Sequence, residues 1–171
     1  MSLIGKKLLS FQNRADRQKA PKRQHKPFEQ ASTIGILFTW EDKGKEAVIA
    51  EFVQRLPDNL KLRHLCFNPD RKTEIDSSHP SFSENDLTLL GKIESEEADS
   101  FLQEPFDYLF HLDFELSEMM KSLLIRSRAH CRVGFHSEGG ESFYELMIGI
   151  NKNAGLHNFA EQILKYVNAL S

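Results

Sequence analysis

The sequence is poor in the features that mark the commonest catalytic, secreted and membrane classes. It has two cysteines in 171 residues, Cys66 and Cys131, too few for a disulfide framework or a dense zinc motif. Both fall in apolar, strand-like runs, where a free thiol behaves as a small buried hydrophobe. The longest apolar stretches, such as 34–38 and 146–150, are far short of the roughly 20 residues that cross a bilayer. Near the start, Leu3, Ile4, Leu8, Leu9 and Phe11 are broken by Gly5, Lys6 and Lys7. That pattern lacks the unbroken apolar core of a secretory signal, so a cytoplasmic location is expected.

Glycine is scarce where nucleotide chemistry needs it. The turn after the first predicted strand, Trp40–Glu46, holds only Gly44, beside Glu41 and Asp42. A phosphate cradle uses closely spaced glycines to present backbone N–H groups, and acids at that place repel the anion. No G-x-S-x-G elbow presents a serine nucleophile. No cofactor is therefore expected.

What the chain does have is segregated charge. Residues 1–28 carry eight basic residues, Lys6, Lys7, Arg14, Arg17, Lys19, Lys22, Arg23 and Lys26, against Asp16, a net of +7. The remainder has 14 basic and 24 acidic residues, a net of −10. Such an arm either seeks a polyanion, stays solvated, or packs on its own acidic body. Its eight cations are the candidate anion contacts, and its expected contact is an anionic surface or a protein partner. For nucleic acid, the aromatic interleaving that favours single strands is limited to Phe11 and Phe28.

Ile4, Leu8 and Phe11 follow i, i+4, i+7 spacing, which predicts an amphipathic helix over 3–19. Pro21 and Pro27 then make 20–31 a linker. From 32 the pattern is that of one domain. Strands are predicted over 33–38, 60–67, 87–93, 106–114, 131–135 and 143–150, and helices over 43–56, 95–103, 117–129 and 156–170. Ser117 is a predicted N-cap, and Ser83 with Asp86 a capping pair. Alternating strands and helices imply crossover connections. The fold expected is α/β, a three-layer Rossmann-like sandwich with a mostly parallel sheet and a basic N-terminal helical arm.

Ligands in such sheets gather beyond the strand carboxyl ends. Those ends carry Glu41 and Asp42 after the first strand, His111, Asp113 and Glu115 after the fourth, and His136 after the fifth. Glu41, Asp42, His111, Asp113 and His136 are the candidate pocket residues. Imidazole and carboxylate suit a divalent metal where they converge; strand alternation alone puts His111, Asp113 and Glu115 on one face as ordinary polar positions. The polar loop 68–81 is a candidate lid. A homodimer through an apolar helix face or strand edge is a further expectation open at this point.

Across nearly its whole length, the sequence resembles an uncharacterised family of short bacterial proteins known only as a domain of unknown function. The likeness runs through the basic start, Thr33–Phe38, Leu89–Ile93, Phe106–Leu112 and Ala129–Phe135. A narrower stretch, Phe106–Phe135, is similar to the acceptor-side half of heptosyltransferase-type glycosyltransferases. That resemblance implies a Rossmann-like half-domain, and fold does not determine function. Two readings follow: a non-catalytic binding or adaptor protein acting through the arm, or a small-molecule binder or enzyme with its site at the strand ends.

Overall fold

The run TIGILFT is apolar on both sides, and a strand of that kind needs cover on both faces. It forms β1 (Thr33–Thr39), at the centre of the sheet. The computed structural model describes residues 3–19, 23–24, 26–70 and 78–170, without the side chains of Gln18 and Lys19. Among these residues the other strands are β2 (Lys61–Asn68), β3 (Ser81–Ser83), β4 (Tyr108–His111), β5 (Cys131–Phe135) and β6 (Leu146–Ile148). The order is β3-β2-β1-β4-β5-β6, and every pairing is parallel. The chain therefore reverses its direction of travel across the sheet between β1 and β4. A crevice opens at that switch point, beyond the strand carboxyl ends.

Helices α2 (Lys43–Gln54) and α5 (Gly155–Ala169) cover one face, over Ile34, Ile36, Phe38, Tyr108 and Phe110. On the other face α3 (Glu96–Gln103) and α4 (Glu118–Arg126) lie over Leu37, Leu65 and Leu109. The fold is a Rossmann-like three-layer α/β sandwich. Ser117 caps α4 and Ser95 caps α3, each accepting a backbone N–H. Ser83 and Asp86 form a complete capping box over a single short turn.

Strand geometry departs from expectation at one place. Residues 87–93 form a turn closed by a lone antiparallel bridge between Leu87 and Ile93, not a strand. Gly91, at φ +78°, reverses the chain there, and Leu89 and Leu90 are left exposed. The third strand is instead Ser81–Ser83, three residues too short and polar to carry an apolar period. The strands predicted over 106–114 and 143–150 contract to four and three residues.

Helix α1 (Leu3–Lys19) lies across α4, outside the three layers. Its packed side is Gly5, Leu9 and Asn13, at i, i+4, i+8. A Cβ at Gly5 would sit 2.9 Å from the Thr88 carbonyl oxygen, so only glycine allows this approach. Asn13 Nδ2 donates to the Glu118 carbonyl at 3.0 Å and to its carboxylate at 3.1 Å. The predicted apolar stripe points elsewhere: Ile4 and Phe11 are exposed, and Leu8 is partly so.

In the stretch leading to β1, Phe28 is buried against Tyr108. Arg23 donates to the carbonyls of Ile125, Ser127 and Ala129 at 3.2, 2.8 and 2.5 Å, a cation placed on the negative end of α4. No helix among the described residues is long and apolar enough to cross a membrane. Cys66 and Cys131 are buried free thiols, each pushed up to about 12 by burial.

Candidate functional site

The carboxyl end of β1 meets that of β4 at the switch point, and there the sequence deposits charge inside the protein. Asp113, two residues past β4, is buried and accepts from four donors. Thr39 gives its backbone N–H at 3.0 Å and its hydroxyl at 2.8 Å, Lys45 its ammonium at 2.5 Å, and His111 its Nε2 at 2.9 Å. On the far side of the imidazole, Nδ1 lies 2.6 Å from the Tyr144 hydroxyl. The result is a buried polar chain: Tyr144, His111, Asp113, Lys45. Only its last member reaches outward, where the ammonium also meets Glu41, an exposed carboxylate, at 2.6 Å.

Local sequence explains each placement. Asp42 caps α2 by accepting from the Lys45 N–H at 2.8 Å, which fixes the first turn and sends Lys45 back over β1. Glu41 and Lys45 are four apart on that turn. Tyr144 can lie flat under His111 because β5 carries Gly134 beneath it; a Cβ there would come impossibly close to the Tyr144 ring. The two rings stack at 18°, with centroids 6.0 Å apart.

The electrostatics follow from these contacts. Burial by itself raises the Asp113 carboxyl, and the His111 and Lys45 bonds outweigh it, so the group is held at about 2. An ionised Asp113 makes Nε2 of His111 a donor, and in the neutral ring Nδ1 then accepts from the Tyr144 hydroxyl. Burial, then the Asp113 charge, pushes the Tyr144 phenol well above its ordinary range. An acid held this low, with both oxygens occupied, is a poor general base. Its work is to hold Lys45 and His111.

Two clefts open on this edge of the sheet. The first, of about 700 Å³, has Lys45, Asp113 and Thr39 in its floor, with Glu41, Phe114 and Leu156 among its walls. The second, of about 540 Å³, lies between α1 and the loop after β5; it includes Asn13, Arg14 and Arg17 on one side and His136, Ser137 and Glu138 on the other. Phe114, Glu115 and Lys152 line both, and Lys152 and Glu115 pair at 2.7 Å.

The candidate pocket residues are thus divided. Glu41 and Asp113 share the first cleft, His111 lies buried behind Asp113, Asp42 is spent on the α2 cap, and His136 belongs to the second cleft. Among the described residues, no three His, Cys, Asp or Glu side chains group closely enough to hold a metal ion. Lys45, Thr39 and Tyr144 escaped the sequence reading. Tyr144 is 33 residues from its partner His111, and no local spacing signals that pair. Lys45 stood only among charged neighbours in a polar turn.

The arm's cations divide as well. Lys6 pairs with Glu84 at 3.2 Å, Lys26 with Asp107 at 3.0 Å, and Arg23 caps α4. Lys7, Arg14 and Arg17 have no ion pair among the described residues. Lys22 and the Lys19 side chain lie outside the described residues, as do residues 71–77 of the candidate lid.

Comparison with known proteins gives one finding: the sequence model of a family of unknown function, DUF6913, matches residues 6–170. No curated protein and no solved structure matches the chain.

Proposed function

We propose, for a chain that belongs to the DUF6913 family of unknown function, that it is a binding protein that docks on an anionic lipid surface through the outward face of α1. The observation that carries this reading is the inverted amphipathicity of α1. Small and polar Gly5 and Asn13 flank Leu9 on the packed side, while Leu3, Ile4, Leu8 and Phe11 face out, with Phe11 71% exposed. Leu89 and Leu90 extend the apolar surface from the neighbouring turn, tied to α1 by the Gln12 bond to the Leu90 carbonyl at 3.2 Å. Lys7, Arg14 and Arg17 flank the stripe.

An apolar ridge edged by cations suits the boundary between headgroups and acyl chains. Full burial of a Leu, Ile or Phe side chain is worth about 1.5–3 kcal/mol, and each cation near an anionic surface about 1 kcal/mol. The two contributions are of comparable size, so neither should suffice alone. The acidic remainder of the chain, at −10, is repelled by the same surface, which orients the approach. Nucleic acid offers nothing to the apolar stripe, and its binding would be governed by salt.

The test is co-sedimentation of the full chain with vesicles of zwitterionic lipid, with and without about 30% anionic lipid. Binding is expected only to the anionic vesicles. Lys7→Gln combined with Arg14→Gln should weaken it by about thirtyfold, as loss of two surface cations implies. Phe11→Glu should do at least the same. Indifference to Phe11→Glu would refute the reading. So would a vesicle-free dimer that Phe11→Glu converts to monomer, because the stripe would then be covered by a second copy.

A further inference from the structure

The second cleft lies on the flank of α1, and its chemistry is that of a phosphate site. Arg14 and Arg17 are three residues apart on one helix, so they share a face, and both line the same cleft. Each offers a planar fork of donors that matches phosphate oxygens, and neither has a carboxylate partner among the described residues. Across the cleft, the loop after β5 supplies His136 and Ser137.

The lining acids separate into two groups. Glu118 is engaged by Lys121 and Glu115 by Lys152, each at 2.7 Å, so their charge is locally balanced. Glu138 has no cation partner among the described residues, yet it lines the same cavity as the two arginines. A carboxylate in that position repels a bare phosphate dianion and accepts hydrogen bonds from hydroxyl groups. The combination selects a ligand with one negative charge and neighbouring hydroxyls.

From this arrangement we infer that the cleft between α1 and the His136–Glu138 loop binds the hydroxylated phosphodiester headgroup of an anionic lipid, phosphoglycerol being the simplest. The arginines hold the phosphate, Ser137 and His136 close the far side, and Glu138 accepts from the headgroup hydroxyls. This rests on the docking reading above and adds headgroup selection to it. The volume of about 540 Å³ admits a headgroup of this size.

The experiment has two arms on the full chain. In the first, glycerophosphoglycerol and inorganic phosphate are titrated while the amide resonances of 136–139 are followed by NMR. Saturable shifts at those residues with the diester, stronger than with phosphate, are expected, weakened about a hundredfold by Arg14→Gln with Arg17→Gln, since the charge-assisted bonds of two arginines are lost. In the second, vesicles of phosphatidylglycerol and phosphatidylserine are compared at equal anionic content. The wild-type chain should favour phosphatidylglycerol, and Glu138→Gln, a surface change that leaves the fold intact, should abolish the preference. Absence of saturable shifts at 136–139, or equal binding of both lipids by the wild-type chain, overturns the headgroup inference and leaves docking standing. Failure to bind any anionic vesicle overturns both.

Discussion

An aspartate flanks strand β4 on each side, and the two carboxylates are treated differently. At its amino end, Asp107 accepts from the Ser32 and Thr33 backbone N–H groups at 2.8 and 3.0 Å, from both hydroxyls, and from the half-buried Lys26 at 3.0 Å. At its carboxyl end, Asp113 accepts from Thr39 on the same neighbouring strand, and from Lys45 and His111, both buried. Both acids staple β4 to β1, and both are held at about 2. Asp107 does so with backbone donors and a cation in reach of water, which suffices for a structural lock. Asp113 brings two further ionisable groups out of solvent, which a lock does not need. Buried ion pairs are weak contributors to stability, and perturbed groups beside a cleft cluster at functional sites. The carboxyl end is where the fold holds several charged groups out of solvent beside a cleft.

The comparison breaks first at Asp113. Replacing it with alanine leaves Lys45 only the exposed Glu41 as counter-charge and the buried His111 Nε2–H without its acceptor, and the expected loss is about 3–5 kcal/mol in urea unfolding. Asp107→Asn keeps most of its surroundings hydrated or backbone-paired, so a loss of about 1–2 kcal/mol is expected by the same method. Equal losses at the two positions would remove the distinction drawn between them. Tyr144→Phe, which leaves the His111 Nδ1 without its partner, should cost about 1 kcal/mol.

Acid sharpens the same contrast. Both carboxyls fall from an ordinary 3.8 to about 2 on folding. A depressed carboxyl contributes stability that is fully present above its unfolded value and is lost as pH falls through the folded one. Stability should therefore decline between about pH 4 and pH 2. Asp107→Asn should flatten part of that decline and leave the rest, attributable to Asp113; an unaltered acid profile would contradict the assignment.

Much of the architecture was readable in the sequence because it is written locally. The unbroken apolar run of β1, the one-sided helix α5, and the caps at Ser117 and Ser83 each declare themselves within a few residues. Strand β3 did not, since it depends on pairing with β2 rather than on its own three residues. His111 and Asp113 stood out as polar residues at a strand end, but their burial depends on Tyr144 and Lys45, 33 and 68 residues away. The Ile4, Leu8, Phe11 stripe was visible as a stripe. Which side of α1 meets the body was decided by Gly5 and Asn13, residues that hydropathy alone passes over.

An apolar face of α1 is turned outward, and the proposed docking rests on it. It is tested most directly by labelling Phe11→Cys with an environment-sensitive fluorophore, a selective reaction because Cys66 and Cys131 are buried. On anionic vesicles the probe is predicted to shift to the blue and become shielded from an aqueous quencher, whereas a probe at Glu161→Cys on α5 should stay wet. A label at position 11 that remains in water while the protein is vesicle-bound would contradict the claim.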